Sequence, residues 1–424
     1  MNGGCLLEKK KLGLVPKLVI GIITGIALGS LVSESVISIF VTFSSFVSAF
    51  ISFIIPLMII AFVTAGIGEL KSGAGKLLGL TLGLAYGFTL ISGTFSYAVS
   101  RLIFPTFIDQ ATTSAIMNGN TQTVAPLFTI PLIPMLDVTS ALVFAFIMGL
   151  GISALRGNDK TSEIGNMMGD FFNGFQYIIK MVLEKAVIPL LPFYIASTFS
   201  LMSFTGEVWR VLAIFWRVYL IIFAMHFLVL VFQFGVAGAV TKTNPLLYLK
   251  NQLPGWLTAA GTQSSATTIP VNVEVAKKNG VSKSIREFVV PLCATIHLSG
   301  SMISLTAFSV AILMMNNMDI SFGLFVPFIM ILGISMVAAP GAPGGAVMSA
   351  LPFLPLIGIV SDGPLASLMI ALYLTQDSFG TACNVSGDNA VALIVDKIKG
   401  RFGIAEEVED SHEVFEEVVI SNEI

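Results

Sequence analysis

The chain has 424 residues, 55% hydrophobic and 11% charged, with a formal net charge of −3 and a mean hydropathy of +0.90. A soluble domain carries about 25% charged residues, and 22 Lys and Arg with 25 Asp and Glu, unevenly spread, cannot give a chain of this length a water-facing surface. That composition excludes a soluble globular protein and describes a polytopic membrane protein, with the bilayer as the missing solvent.

The charges are segregated into a basic start (Lys9, Lys10, Lys11, Lys17) and an acidic end (Glu406, Glu407, Glu409, Asp410, Glu413, Glu416, Glu417), and nothing in this distribution is a footprint for nucleic acid. Cys5, Cys293 and Cys383 have neither metal-site spacing nor a disulfide framework and read as small packing residues. The first apolar run continues past Leu31 without an A-x-A-like site, so no cleaved signal peptide is expected.

A membrane crossing needs about 20 apolar residues, more if tilted. On that rule the spans fall near 14–33, 37–67, 76–104, 128–155, 176–203 and 208–238. The breaks carry charge: Lys71 and Lys76 after the second run, Arg156, Asp159 and Lys160 after the fourth, Lys242 and Lys250 after the sixth. Basic loops favour the cytoplasmic side. The N-terminus and the Lys71/Lys76 loop are therefore both expected there, with an even number of crossings between them.

After Lys250 the apolar runs are interrupted at GTQSSATTIP (Gly261 to Pro270), HLSGS (His297 to Ser301), APGAPGG (Ala339 to Gly345) and SFGTACNVSGD (Ser378 to Asp388). Non-helical backbone at membrane depth must line protein or a watery cavity, so these stretches are candidate re-entrant hairpins or broken helices, with extramembrane loops as the plainer alternative. The segment after Arg401 reads as a short, charge-solvated cytoplasmic tail.

Asp377, Thr381, Asn384 and Asp388 follow at steps of four, three and four, which places them along one face of an apolar helix read as Leu368 to Ile394. A carboxylate inside a span costs about 2.5–3.5 kcal/mol on insertion scales and is usually functional. His297 is either a proton acceptor, with an ordinary pKa of about 6.5, or a ring satisfied by a neighbouring hydroxyl. His226 has no polar company in its stretch and reads as a packing residue. Ser264, Ser265, Thr267 and Thr268 offer hydroxyls and, if the backbone turns there, free N–H groups for a carboxylate. No HExxH, GxSxG or Walker A pattern is present, GAGKL at Gly73 to Leu77 lacking the leading glycine and final Ser/Thr; neither an enzyme nor an ATP-driven pump is expected.

These residues, in this order, resemble the dicarboxylate/amino acid:cation symporter family, the glutamate-transporter-like proteins. TQSSATTIP is similar to that family's first hairpin tip, HLSGS to its unwound NMDGT-type motif, APGAPGG to its second hairpin tip, and Asp377, Thr381, Asn384, Val385, Gly387 and Asp388 to its D-x-x-x-T-x-x-N-V-x-G-D. The resemblance implies an all-α protein of eight transmembrane helices and two oppositely oriented re-entrant hairpins. It further implies a homotrimer in which a scaffold (mainly 13–70 and 128–205) supports a transport domain (mainly 75–105 and 208–400) that moves as an elevator, between an N-terminus at 1–12 and a tail at 402–424. Asp377 is expected to accept an amino acid's ammonium, Asn384 to meet its α-carboxylate, and Ser264, Ser265, Ser301, Ala342, Gly344, Gly380 and Thr381 to complete the substrate site. Asp388 with Asn384 and backbone carbonyls is expected to hold one sodium ion, and Thr295 with carbonyls between Met336 and Ala339 another.

The departures from the family pattern sharpen the expectation. Arginines that pair with an acidic substrate in some members are replaced by Gly380 and Gln263, and a buried second carboxylate without a charged partner costs several kcal/mol; a neutral, small or moderately sized amino acid is expected. His297 and Ser299 stand where the motif has asparagine and aspartate, which leaves the number of sodium ions open and makes His297 either a sodium-site residue or a proton carrier. The expected function is sodium-coupled import in a bacterial inner membrane, both termini cytoplasmic, without an organic cofactor. A dicarboxylate or acidic amino acid carrier, a proton-coupled carrier, and a channel or sensor without coupled flux are the alternatives.

Overall fold

The computed structural model describes residues 14–68, 75–108, 124–136, 138–336, 344–361 and 363–402. Cys5, Lys71, the second hairpin tip with Ala339 and Ala342, and the acidic tail lie outside them. The described residues are helical with no strand, as the apolar runs require in a solvent that cannot satisfy open backbone. The helices are α1 (Leu14–Leu31), α2 (Glu34–Gly68), α3 (Gly75–Ile103), α4 (Val138–Arg156), α5 (Ser162–Val182), α6 (Ile188–Phe204), α7 (Glu207–Thr241), α8 (Pro245–Thr262), α9 (Ser265–Lys278), α10 (Lys283–Ile296), α11 (Ser299–Met315), α12 (Phe322–Met336), α13 (Gly345–Ala350) and α14 (Pro364–Ile398). Among them, four stretches are long and apolar enough to cross a membrane unaided, or five if a pair bent by 47° between α5 and α6 counts as one.

Two boundaries differ from the hydropathy reading. The span expected at 128–155 begins as helix only at Val138, because Pro126, Pro131 and Pro134 keep the apolar stretch before it out of helix. The span expected at 176–203 is the second half of a longer run: α5 starts at Ser162, passes through a π-helical turn at Leu183–Val187 and bends into α6. Glu163 and Asp170 had hidden its first turns from a hydropathy count.

One set of helices is α1, α2, α4, α5 and α6. Gly21, Gly25 and Gly29 recur every four residues along α1, and a Cβ on them would lie 2.6, 2.4 and 2.2 Å from the carbonyl oxygens of Pro192, Ala196 and Ser200 on α6. Small residues at this spacing let two membrane helices meet backbone to backbone. Ser203 Oγ then donates to the Ile26 carbonyl at 2.8 Å. Arg156, in the last turn of α4, donates to the Gly68 carbonyl at the end of α2 at 2.7 Å, a cation on a helix C-terminus.

The second set packs around α14: α3, α7, the pair α8–α9, the broken run α10–α11 and the short α13, with α12 against α3 and α13. Asn244 caps α8 by accepting from Leu246 N at 3.0 Å, and Ser264 caps α9 by accepting from Thr267 N at 3.2 Å. Between them Gln263 sits in the left-handed region at φ 53° and makes the reversal. Helix α11 is buried along almost its whole length, so its polar positions must find partners inside the protein. The two sets meet at few points, including Tyr194 OH donating to Ser367 Oγ at 2.6 Å, and flank an apolar crevice of ≈ 510 Å³ lined by Ile22, Phe199, Phe215, Tyr219, Gln376 and Phe379.

Candidate functional site

The run from α10 to α11 breaks at His297 and Leu298, where the backbone opens to φ −108°, ψ 99° and φ −123°, ψ 44°. The break frees the first N–H groups of α11, and α14 supplies their acceptor. Gly300 N and Ser301 N donate to Asn384 Oδ1 at 2.7 and 3.2 Å, while Asn384 Nδ2 donates to Ser301 Oγ at 2.8 Å. Tyr373 OH, one turn before Asp377, also donates to Ser301 Oγ, at 2.8 Å. Helix α11 approaches α14 this closely because residue 300 is glycine: a Cβ there would lie 2.4 Å from the Gly380 carbonyl oxygen and 2.6 Å from Cys383 Cβ.

Asp377 is 3% exposed. Its Oδ2 accepts from Gly344 N at 2.6 Å and its Oδ1 from Thr381 Oγ1 at 3.4 Å. The carboxylate therefore faces Gly344 at the start of α13, and none of its described contacts is with Lys or Arg. Gly380 faces the start of α11: a Cβ on it would lie 3.7 Å from Ser301 N.

Asp388 lies three turns further along α14 and is buried with His297. His297 Nδ1 is 3.0 Å from Asp388 Oδ1 and 3.2 Å from the Asn384 carbonyl oxygen. Ser299 Oγ sits 2.8 Å from His297 Nε2 and accepts from Gln233 Nε2 at 2.9 Å. With Nδ1 as the donor to the carboxylate, Nε2 accepts from Ser299.

The four residues read as a stripe on α14 thus share a face: Asp377, with Thr381 bonded to it, faces Gly344 at the start of α13, and Asn384 and Asp388 face the α10–α11 break. Ser264 and Ser265 lie at the turn that opens α9, where Ser264 Oγ accepts from Thr267 N at 3.2 Å and from Thr267 Oγ1 at 3.0 Å. Gln263 beside them is 6% exposed, and its Nε2 has no partner among the described residues. Thr295 is exposed near the end of α10, its hydroxyl donating to the Leu292 carbonyl at 2.9 Å. Met336 is buried at the end of α12.

Several polar partners were not legible from the chain. His226 lies 2.9 Å through Nε2 from the Gly300 carbonyl and 3.2 Å from Ser304 Oγ, which donates to Gln376 Oε1 at 2.6 Å. A carboxamide cluster ties the first hairpin to α14: Gln252 Nε2 donates to Asn272 Oδ1 at 2.8 Å, and Asn389 Nδ2 donates to Gln252 Oε1 and Asn272 Oδ1 at 2.7 and 2.9 Å. Asn272 Nδ2 in turn donates to the Val385 carbonyl at 2.8 Å. Tyr373 alone carried a signal, its position four residues before Asp377 on the stripe.

The site therefore offers a carboxylate, hydroxyls, helix N-terminal amides and carboxamides, all held by side chains that other helices fix. That arrangement can bind a small zwitterion or exclude water from a charged group; Ser299, His297 and Asp388 line up as hydroxyl, ring and carboxylate, but all three are closed off inside the protein. Comparison with known proteins agrees. The chain is 25% identical over 401 residues to the serine/threonine transporter SstT of Acinetobacter baumannii, covering 91% of this chain and 97% of that one. It is 27% identical over 297 residues to an excitatory amino acid transporter of Caenorhabditis elegans, covering 68% of this chain and 56% of that one. It is 30% identical over 179 residues to excitatory amino acid transporter 1 of Rattus norvegicus, covering 42% of this chain and 33% of that one. The chain thus spans about half the length of the nematode relative and nearly all of SstT, and these relatives are transporters, not enzymes. Residues 14–398 match the sodium:dicarboxylate symporter family, and the chain belongs to that family: it is an integral membrane transporter.

Proposed function

We propose that this chain imports a small neutral amino acid on a sodium gradient. The observation that carries the reading is the buried carboxylate of Asp377 beside amides and hydroxyls, with glycine at position 380 where a side chain would point at Ser301 N. An ammonium meets Asp377. The α-carboxylate meets Asn384 and the N-terminal amides of α11, with Ser301, Thr381 and the hairpin positions Ser264, Ser265, Ala342 and Gly344 around it. Without a cation at position 380, a second substrate carboxylate would be buried unpaired, at a cost of several kcal/mol. The unpartnered Nε2 of Gln263 suits a hydroxyl or carbonyl on the substrate instead. The relative named a serine/threonine transporter over nearly its full length supports the same substrate class. Sodium, which the family's name carries, is assigned to Thr295 and the carbonyls between Met336 and Ala339.

The finer architecture belongs to the same proposal. Eight spans and two hairpins result when α5 and α6 count as one crossing, α10 and α11 as another, and the pairs α8–α9 and α12–α13 dip in and return. The set α1, α2, α4, α5 and α6, within 13–70 and 128–205, is the scaffold of a homotrimer in the bacterial inner membrane. The set within 75–105 and 208–400 is the moving domain, and both termini are cytoplasmic. The apolar crevice between the sets, with few polar ties across it, supports sliding of one against the other. The test is a thermal-shift screen of the purified protein against the twenty amino acids and several dicarboxylates, in sodium and then in choline, because a bound ligand raises stability with its occupancy. Serine, threonine or alanine should stabilise only with sodium present. Stabilisation by succinate or aspartate alone would overturn the substrate assignment.

A further inference from the structure

We infer that the imidazole of His297 occupies the position of a coupling cation at Asp388, so that this carboxylate is held by a fixed N–H donor and not by sodium. The inference deepens the sodium-coupled reading above and assigns its sodium dependence to the rest of the molecule.

Asp388 Oδ1 and the Asn384 carbonyl oxygen converge, in a buried place, on one point. A carboxylate and a backbone carbonyl so placed are the oxygen donors a hard cation prefers. The structure puts His297 Nδ1 there, 3.0 Å from one oxygen and 3.2 Å from the other. A cation seated on the same two oxygens would fall on the ring. The donor role of Nδ1 is the same whether the ring carries one proton or two, so the assignment rests on position.

The ring's seat is built from four elements. The opened backbone at His297 projects the side chain out of the α10–α11 run. Ser299 Oγ and Gln233 Nε2 hold the far nitrogen at 2.8 and 3.2 Å, and the Phe88 ring lies across it in an edge contact, centroids 6.3 Å apart. On α14, Gly387 leaves the space the ring fills: a Cβ there would lie 2.2 Å from His297 Cε1 and 2.4 Å from Gln233 Oε1. A histidine merely tolerated at this depth would not need a glycine beneath it and two side chains at its far nitrogen. An imidazole donor also satisfies the buried carboxylate permanently, where a mobile ion would leave it bare on departure.

The test uses the full-length protein in detergent with sodium chloride as the only probe, exchanged against choline chloride at constant ionic strength, and reads the melting temperature. Asp388→Asn should lower it equally in both salts and leave the sodium midpoint within about twofold of the parent's. His297→Asn combined with Ser299→Asp, which removes the ring and supplies oxygen donors, should gain a sodium response about one ion steeper, and adding Asp388→Asn should abolish that gain. A shift of about tenfold or more in the parent's sodium midpoint on Asp388→Asn, or a double variant without an added sodium response, would overturn the inference. A parent with no sodium response at all would instead sink the sodium-coupled reading, and the double variant would still decide the role of His297.

Discussion

Gly300→Ala is the substitution whose cost the structure lets one work out most fully. The added methyl would lie 2.4 Å from the Gly380 carbonyl oxygen and 2.6 Å from Cys383 Cβ. The first is backbone of α14 and cannot rotate away, so α11 has to retreat. Overpacking of this kind costs about 1–3 kcal/mol. Retreat also stretches the bonds from Gly300 N and Ser301 N to Asn384 Oδ1, now 2.7 and 3.2 Å, and a buried polar group left unpaired costs a further 1–3 kcal/mol or so. The sum is about 2–6 kcal/mol, which for a chain of this size is a fall in melting temperature of roughly 2–7 °C. Gly83→Ala is the control: nothing lies within 4 Å of its added Cβ, and alanine in a helix interior gains about 0.5–1 kcal/mol over glycine. Unfolding followed by tryptophan fluorescence in one detergent should therefore move the two variants in opposite directions. If Gly300→Ala melts together with Gly83→Ala, the close α11–α14 contact is not the element that builds the site.

Three further substitutions probe separate parts of the structure. Asp377→Asn keeps the shape but removes the charge proposed to meet an ammonium, a loss of about 1.5–3 kcal/mol, so the concentration of serine needed for half-maximal thermal stabilisation should rise about 10- to 150-fold; a change under threefold or so would dissociate Asp377 from the substrate. Asn389→Ala strips a donor from Gln252 Oε1 and Asn272 Oδ1 and should cost about 1–3 kcal/mol without any ligand, and a melting curve that overlays the parent's would show that the carboxamide cluster does not anchor the first hairpin. Lys399→Met breaks the 2.9 Å pair with Asp396, both side chains partly open to solvent, so its cost should stay below about 1 kcal/mol and fade as salt is raised; a salt-independent loss would mean that the pair is shielded from solvent.

The α14 stripe could be read from the chain because its residues carry their own period: Asp377, Thr381, Asn384 and Asp388 lie on one face of any helix that contains them. The break at His297 was readable for a related reason, since HLSGS interrupts an otherwise apolar run. Partners drawn from other helices left no such trace. Gln233 has only apolar neighbours in sequence, and only the fold brings it to Ser299. His226 read as packing because its neighbours in sequence are apolar, whereas its partners Gly300, Ser304 and Gln376 come from α11 and α14. Boundaries were lost where composition and conformation part company: Phe128 to Leu136 is apolar enough for a span but broken by proline, and α5 is helical but charged. Gly387, part of the last motif, stands where the His297 ring needs its space, a relation between two helices that no spacing expresses.

The most direct test of a sodium-driven neutral amino acid carrier is uptake into liposomes containing the purified protein, with radiolabelled serine and aspartate supplied in parallel and either sodium or choline outside. The account predicts serine accumulating above its external concentration with inward sodium only, little aspartate uptake, and loss of serine accumulation in Asp377→Asn. Aspartate accumulating without serine, or serine accumulating equally in choline, would contradict it.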